Sequence, residues 1–338
     1  MTKLKVLVTG GAGFIGSTIC SALLDAGHTP VILDNLVTGR KEFTVDRIFY
    51  QGDIADQQLL RSIFDAHPDI DSVIHCAALI VVPDSVRQPY EYYVENVEKS
   101  LHLFRHLLDL GCHKIIYSSS ASIYDSTSAV EVDENAPLQP LSPYARTKQM
   151  VEMILQDFAV AYQLQSIVLR YFNPIGADPQ LRTGLQLERP SHALGKIIEA
   201  YQSHQTFYVT GTQWPTRDGS GIRDYIHVWD LALAHVQAVE LFDNILSRTP
   251  THHAVYNIGT GQGVTVYELV QAFEEVTGLP LAHEAAPPRP GDSAGTYTIS
   301  QRASTDLQWS PQRTLQEGIA HALEWAVLRK EKLLQHKN

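Results

Sequence analysis

The sequence predicts an α/β protein built on a doubly wound parallel sheet, with a smaller α+β unit in its C-terminal half. Three observations carry this. Lys5–Val8 is a short β-branched run followed at once by Gly10, Gly11, Gly13 and Gly16 and then by a helical pattern. Apolar strands and helices then alternate as far as Arg170, the rhythm of a parallel sheet with crossover helices. That rhythm breaks after Asn173-Pro174, where a polar, irregular stretch begins.

The first element is the most informative. The spacing Gly11-x-Gly13-x-x-Gly16 lets the backbone turn sharply, approach a pyrophosphate with no Cβ between, and pack the next helix closely on the strand. Phosphates then meet free N–H groups at the helix N-terminus, which makes Gly10, Gly13, Phe14, Ile15 and Gly16 cofactor-binding candidates. The helix carries Phe14, Ile15, Ile19, Leu23 and Leu24 and stops at Gly27, and the next strand, Val31–Leu33, ends in Asp34. An acidic side chain some twenty positions after the glycines is placed for an adenosine ribose 2′-OH and repels a 2′-phosphate. The turn therefore reads as a Rossmann site for NAD rather than NADP.

The 338 residues suffice for one large or two medium domains with a sizeable core. With 44% hydrophobic and 19% charged residues the composition is that of an ordinary soluble globular protein. No apolar run reaches membrane length, and Met1-Thr2-Lys3 leads into a strand rather than a signal-peptide core, so a cytoplasmic protein is expected. Cys20, Cys76 and Cys112 are odd in number and lack metal spacing; they read as small buried hydrophobes, and no metal site is expected. A net charge of −11 argues against nucleic acid or an anionic membrane as partner. Such a chain must gather a few arginines locally to hold a phosphorylated ligand.

After Asp34, Ile48–Gln51 is a short strand ending at Gly52-Asp53-Ile54, and Gln57–Phe64 is a helix. Ser72–Cys76 is a third apolar strand, ending in Ala77-Ala78, small residues against which a ligand can lie. Tyr90–Leu110 has helical periodicity and stops at Gly111. Lys114–Ser118 and Gln165–Arg170 are further strands, and Asp178–Arg189 is irregular. Helix Ser191–Ser203, strand Thr206–Val209, loop Trp214–Gly221 and helix Val228–Leu246 follow, then strand Val255–Ile258 and helix Val266–Gly278. Ala285–Gly291 is proline-rich, and a last helix runs from about Thr314 to Leu334. Residues 1–172 thus read as the NAD-binding domain and 173–338 as mainly a substrate domain, with strand 255–258 able to rejoin the first sheet.

Ser118-Ser119-Ser120 stands at the carboxyl end of a strand, where open α/β sheets present ligands. Ser142-Pro143 opens a helix, serine as N-cap and proline at N1, and Tyr144 and Lys148 fall four apart on one face of it. A tyrosine is a poor base at its free pKa of about 10, and bringing it near 7 requires about 4 kcal/mol of preference for the phenolate. One cation ~5 Å away at an effective dielectric of ~20 supplies roughly 3 kcal/mol. Lys148 is the expected cation, with the positive nicotinamide ring supplying the rest. Ser120 is placed to bridge the phenolate and a substrate hydroxyl.

Longer runs extend this pattern from Val6 to about Asp292. They include Val-Thr-Gly-Gly-Ala-Gly-Phe-Ile-Gly, Ile-Leu-Asp34-Asn35-Leu, Gly-Asp53-Ile, Val-Ile-His-Cys-Ala-Ala, Ser-Ser-Ser120-Ala-Ser-Ile-Tyr, Ser-Pro-Tyr144-Ala-Arg-Thr-Lys148 and Leu-Arg-Tyr-Phe172-Asn173-Pro-Ile-Gly. The most specific is Pro-Thr-Arg-Asp-Gly-Ser-Gly-Ile-Arg223-Asp-Tyr-Ile-His-Val. With these motifs the chain resembles the extended short-chain dehydrogenases/reductases, and within them the UDP-glucose (UDP-galactose) 4-epimerases. The resemblance implies that Tyr144 takes the proton from the sugar 4-OH while hydride leaves C4 for NAD⁺. The 4-keto sugar then turns about its diphosphate linkage and takes the hydride back on its other face. It further implies NAD contacts from Asn35, Asp53, Ile54, Cys76, Ala77, Ala78, Asn96, Tyr144, Lys148 and Phe172. UDP-sugar contacts are implied for Ser120, Tyr144, Asn173, His192, Arg223, Arg289, Asp292 and Thr296. Arg223 and Arg289 are also the forked cations that the acidic composition calls for.

Three positions depart from the family pattern. Ile80 stands where a lysine is usual, Asp125 where a glycine follows Ile-Tyr, and a small Thr296 where a bulky side chain edges the sugar. Thr296 is expected to leave room for an N-acetyl group. A 4,6-dehydratase needs an extra acid–base pair beside the serine, and Ala121-Ser122 offers none; a uronate-handling enzyme needs a further cation. A non-catalytic dinucleotide-binding regulator is the reading from another class, and Ser120, Tyr144 and Lys148 together speak against it. The resemblance also implies a homodimer through the Tyr90–Leu110 and Ser142–Tyr162 helices, whose apolar stripes alone equally suit an intrachain core.

Overall fold

The computed structural model describes residues 3–124, 130–188, 190–289 and 292–334; Asp125 lies outside the described residues. The first part of the chain runs β1 (Lys5–Thr9), α1 (Phe14–Asp25), β2 (Thr29–Asp34), β3 (Ile48–Gln51), α2 (Gln57–Ala66) and β4 (Ile70–His75). Next come α3 (Val82–Arg87), α4 (Pro89–Tyr93), a π-helical turn at Val94–Glu98, α5 (Lys99–Asp109), β5 (Lys114–Ser120), β6 (Glu131–Val132), α6 (Pro143–Tyr162) and β7 (Gln165–Tyr171). Beyond Phe172 are β8 (Asn173–Ile175), α7 (Ala193–Ser203), β9 (Phe207–Thr210), β10 (Ile222–His227), α8 (Val228–Glu240), α9 (Phe242–Leu246) and β11 (His253–Ile258). The chain closes with β12 (Gly263–Thr265), α10 (Val266–Thr277), β13 (His283–Ala286), β14 (Tyr297–Thr298), α11 (Arg302–Asp306) and α12 (Leu315–Leu334).

Seven strands form one parallel sheet in the order β11-β7-β5-β4-β1-β2-β3. Strand alternation assigns its two faces. Val6, Val8, Ile32, Ile74 and Ile116 pack with Ile19 and Leu23 of α1 and Leu231 of α8. Leu7, Val31, Val73, Ile115 and Tyr117 pack with Leu60 of α2, Phe104 of α5 and Val151 of α6. Side chains one apart thus serve opposite helical layers. β8, β10 and β12 make a second sheet, and β9 with β13 a third; with α7, α10 and α12 they enclose their own core around Ile197, Phe273 and Ile319.

The structure amends the element list in physically instructive places. Tyr90–Leu110 is not one helix: a π-helical turn separates α4 from α5, and in it Asn96 faces inward and bonds the Leu79 backbone. Such turns recur at functional sites. Ser191 is outside the helix it was expected to open, because His192 is the N-cap and takes the Gly195 N–H on Nδ1 at 3.1 Å. The expected Val228–Leu246 helix divides at Leu241. β8, β12 and β14 are too short to carry a hydrophobic period.

A polar block is buried beneath the end of β5. Glu152 on α6 accepts from Arg170 on β7 at 2.7 Å and from Ser119, and Arg170 also donates to the Tyr124 hydroxyl at 2.9 Å. Both charged side chains are buried, so removing one partner strands the other. Arg170→Met is expected to cost ~3–5 kcal/mol, read as a lower urea midpoint, and adding Glu152→Gln in the same chain should recover part of the loss.

Candidate active site

The glycine turn is closed on its neighbours. Gly10 sits at φ 70° with the Ala77 backbone nitrogen 2.7 Å from where a Cβ would stand, so the loops after β1 and β4 touch there. Asp34, at the end of β2, ties the turn from the other side: its carboxylate accepts from Ala12 N at 3.0 Å and Leu36 N at 2.8 Å. Burial pushes its pKa up, against those two bonds. Asn35 is exposed and accepts from Val37 N. Asp53 pairs with Lys99 at 2.6 Å, and Ile54 is buried beside it.

Ser120, Tyr144 and Lys148 come together where β5 ends against the start of α6. Ser142 caps that helix by accepting from Ala145 N, with Pro143 at its first position. Tyr144 and Lys148 are buried on its sheet-facing side. The Lys148 ammonium donates to the Ser118 carbonyl at 2.8 Å and stands 5.0 Å from the Tyr117 ring centre and 6.0 Å from that of Tyr144. Burial brings it down to about 8. The Ser120 hydroxyl, held by Ser122 at 3.0 Å, faces the Tyr144 phenol and favours its ionised form.

Burial outweighs that help and pushes Tyr144 up to about 12. Burial thus works against the help expected from Lys148. Its ammonium is turned onto a carbonyl, and desolvation of the phenolate dominates.

Around this centre Cys76 is half-buried, with Ala77 and Ala78 beyond it, and Phe172 packs on Ala121 and Tyr124. Asn96 is buried, its amide spanning Leu79 N, Leu79 O and Thr147 Oγ1 at 2.8–3.0 Å. It lies on no wet face, and it fixes the loop that carries Ala77, Ala78 and the exposed Ile80. Asn173 begins β8 opposite Tyr225. Arg223 on β10 donates to the carbonyls of Ile222, Ala294 and Ser293 and meets no carboxylate bond among the described residues. Arg289 and Asp292 pair at 3.2 Å and lie close enough to act on Arg223 electrostatically. Thr296 is buried on the same strap. Gly295, which the sequence reading did not single out, makes this possible: at φ 95° a Cβ there would overlap the Arg223 guanidinium and the Ile222 carbonyl. His192 lines a cavity of about 250 Å³ with Phe14, Pro174 and Trp325; Ser120, Tyr144 and Lys148 do not border it.

Residues 6–259 match the NAD dependent epimerase/dehydratase family. The chain belongs to this family. Over 324 residues it is 40% identical to the UDP-glucose 4-epimerase of Halalkalibacterium halodurans, covering 95% of each chain. The structure superimposes with a TM-score of 0.90 at 35% identity on a UDP-glucose-4-epimerase from Stenotrophomonas maltophila with bound NAD and formylated UDP-arabinopyranose, covering 97% of this chain and 99% of that one. It does so with a TM-score of 0.88 at 33% identity on UDP-glucose 4-epimerase from Bifidobacterium longum in complex with NAD+ and UDP, with the same coverage.

The family's cofactor fits the residues present. α1 opens on Gly13 with no side-chain cap and no acidic residue in its first turn, so its leading N–H groups are free to meet a pyrophosphate. Thr9, His75, Ser100 and Thr147, polar residues that hold the strand ends and the helices against them, escaped the sequence reading. A serine or histidine inside an apolar strand was the available signal.

The raised Tyr144 pKa has a sign that can be checked. Folded and unfolded chains both keep the phenol protonated below its ordinary value of 10.0; above it the unfolded chain ionises freely while the fold resists up to about 12. Stability is therefore lost as pH rises through that window. Tyr144→Phe should retain about 2–3 kcal/mol more of its neutral-pH stability at pH ~12 than the parent does, measured by denaturant unfolding in the absence of added NAD.

Proposed function

We propose that this chain interconverts UDP-galactose and UDP-glucose by NAD-dependent 4-epimerisation, with residues 1–172 holding NAD and 173–338 mainly the UDP-sugar. The observation that carries the reading is the buried Ser120–Tyr144–Lys148 group at the end of β5 in a chain of this family. NAD, when bound, supplies a reversible hydride acceptor for C4 of the sugar. Tyr144 takes and returns the 4-OH proton at its phenol oxygen, while Ser120 orients that hydroxyl and Lys148 favours the phenolate. Arg223 and Arg289 take the diphosphate, whose negative charge replaces the carboxylate that Arg223 lacks. Asn173, His192, Asp292 and Thr296 frame the rest of the substrate. His192 takes a backbone N–H on Nδ1 and is pushed down to about 4 by burial, so it presents an Nε2 donor.

A dehydratase is disfavoured by the contacts of Ser120: its neighbour is Ser122, a hydroxyl with no carboxylate function. The exposed apolar side chains Tyr90, Leu101, Met150, Met153 and Val160 on α4, α5 and α6 support a homodimer through these helices. No described helix is long and apolar enough to cross a membrane, in keeping with a cytoplasmic enzyme.

The purified protein, given UDP-galactose and no added NAD, should form UDP-glucose; absence of product both with and without added NAD would overturn the proposal. Tyr144→Phe should lower kcat by ~10²–10⁴ and still hold NAD, whereas a non-catalytic binding protein would be indifferent to the change. The small Thr296 should admit UDP-N-acetylgalactosamine as well. Thr296→Tyr should then cut turnover of the acetylated sugar by about five- to 150-fold relative to UDP-galactose, as overpacking by ~1–3 kcal/mol requires. A parent enzyme inactive on the acetylated sugar would remove this part of the proposal.

A further inference from the structure

We propose that His235, which lies outside the candidate site, is a positioning residue for Lys148: through Ser118 it pins, from the opposite face of the sheet, the strand-end carbonyl on which the Lys148 ammonium rests. The inference rests on Tyr144 and Lys148 being the acid–base pair.

The geometry follows from the alternation of β5. Tyr117 faces the α5 and α6 layer, so Ser118 turns its side chain toward α8. There its hydroxyl meets His235 Nε2 at 2.8 Å. Lys148 arrives from the other layer and takes the Ser118 carbonyl at 2.8 Å. Among the described residues that carbonyl is the ammonium's one hydrogen-bond acceptor. β4 ends at His75, opposite Tyr117, so Ser118 has a paired strand on the β7 side alone. What fixes Ser118 on its open side is therefore side-chain contact from His235 and Cys76.

The direction of every bond in this chain can be assigned. Leu231 O can only accept, so His235 Nδ1, 2.9 Å away, carries the proton. Burial keeps the ring neutral by pushing it down to about 4, which leaves Nε2 as an acceptor. The Ser118 hydroxyl then donates to Nε2, and its lone pair takes the Cys76 thiol proton at 3.1 Å. A polar pair buried where apolar side chains would pack adds no hydrophobic stabilisation. What it adds is orientation: Ser118 is held from α8 by its hydroxyl and from α6 by its carbonyl. The ionisable groups that face the phenol from neighbouring elements are Tyr117 on β5, Tyr171 on β7, Tyr92 on α4 and Lys148 on its own helix; His235, Cys76 and Lys148 are those that reach Ser118.

The test compares His235→Leu, His235→Gln and Ser118→Ala as NAD holoenzymes. Tyr144 is titrated by tyrosinate absorbance, with Tyr144→Phe subtracted, and kcat and KM for UDP-galactose are measured beside it. His235→Leu should raise the phenol's proton affinity roughly three- to tenfold and lower kcat at neutral pH by about five- to tenfold, with KM within about twofold. His235→Gln, whose amide oxygen reaches the place of Nε2, should stay within about twofold of the parent on each count. Ser118→Ala should reproduce His235→Leu, and the double variant should be no worse. An unmoved phenol titration in His235→Leu, equal losses for Leu and Gln, or additive losses in the double variant would overturn the proposal. Should His235→Leu fail to fold, the Ser118→Ala titration decides, an unshifted phenol refuting it. The titration needs no turnover, so a chain inactive on UDP-galactose defeats the proposed function without deciding this one.

Discussion

The structure depends on an ammonium buried where no carboxylate bonds it. Lys148 is about 1% exposed, and its one direct acceptor among the described residues is a backbone carbonyl. Moving a cation out of water costs several kcal/mol even after relaxation, and the cost is visible as a Lys148 pKa brought down to about 8. The fold meets that cost locally with the Ser118 carbonyl and the face of the Tyr117 ring. Both lie on β5, the strand between β4 and β7. The parallel sheet and its two apolar layers thus serve as a rigid mount for one charge.

The neighbouring buried charges are treated differently. Glu152 and Arg170 neutralise each other in a two-oxygen contact, and Ser119 and Tyr124 saturate what remains. Successive serines of β5 face opposite layers, so Ser119 joins this closed network on the α6 side while the Ser118 hydroxyl turns to α8 and His235. A pair that is fully satisfied has nothing left for a ligand. Lys148 keeps donors in reserve, which suits the action on a phenol proposed for it.

The legible parts of the sequence were those whose chemistry is local. Gly10–Gly16 with Asp34 could be read because a turn, a helix start and a strand end lie within one short stretch. Tyr144 and Lys148 could be read because a helix fixes their spacing. What could not be read was built by contacts across long separations. The π-helical turn at Val94–Glu98 goes with Asn96 bonding Leu79, a contact that no periodicity announces. β10 hid inside the run Ile-Arg-Asp-Tyr-Ile-His because its alternation serves a small second sheet. The balance at Tyr144 also went the other way, since charge arithmetic from spacing omits desolvation, and desolvation requires knowing that the ring is buried.

The substrate side shows the same logic in anionic form. Two arginines were expected to share a diphosphate, yet they are not equivalent. Arg289 is about half exposed and already paired with Asp292, and an exposed pair of this kind contributes on the order of 0–1 kcal/mol. Its guanidinium can be exchanged between partners at little cost. Arg223 is half-buried, and its bonds go to the carbonyls of Ile222, Ser293 and Ala294 rather than to an anion. Carbonyls orient a guanidinium without cancelling its charge, and burial disfavours that charge. An anion arriving beside Arg223 therefore relieves a penalty the fold has already accepted, while one arriving at Arg289 must displace a partner. The strap of residues 292–298 can lie against Arg223 because position 295 has no Cβ. On the proposed reading, most of the diphosphate's hold would accordingly fall on Arg223, with Arg289 and Asp292 adjusting around it.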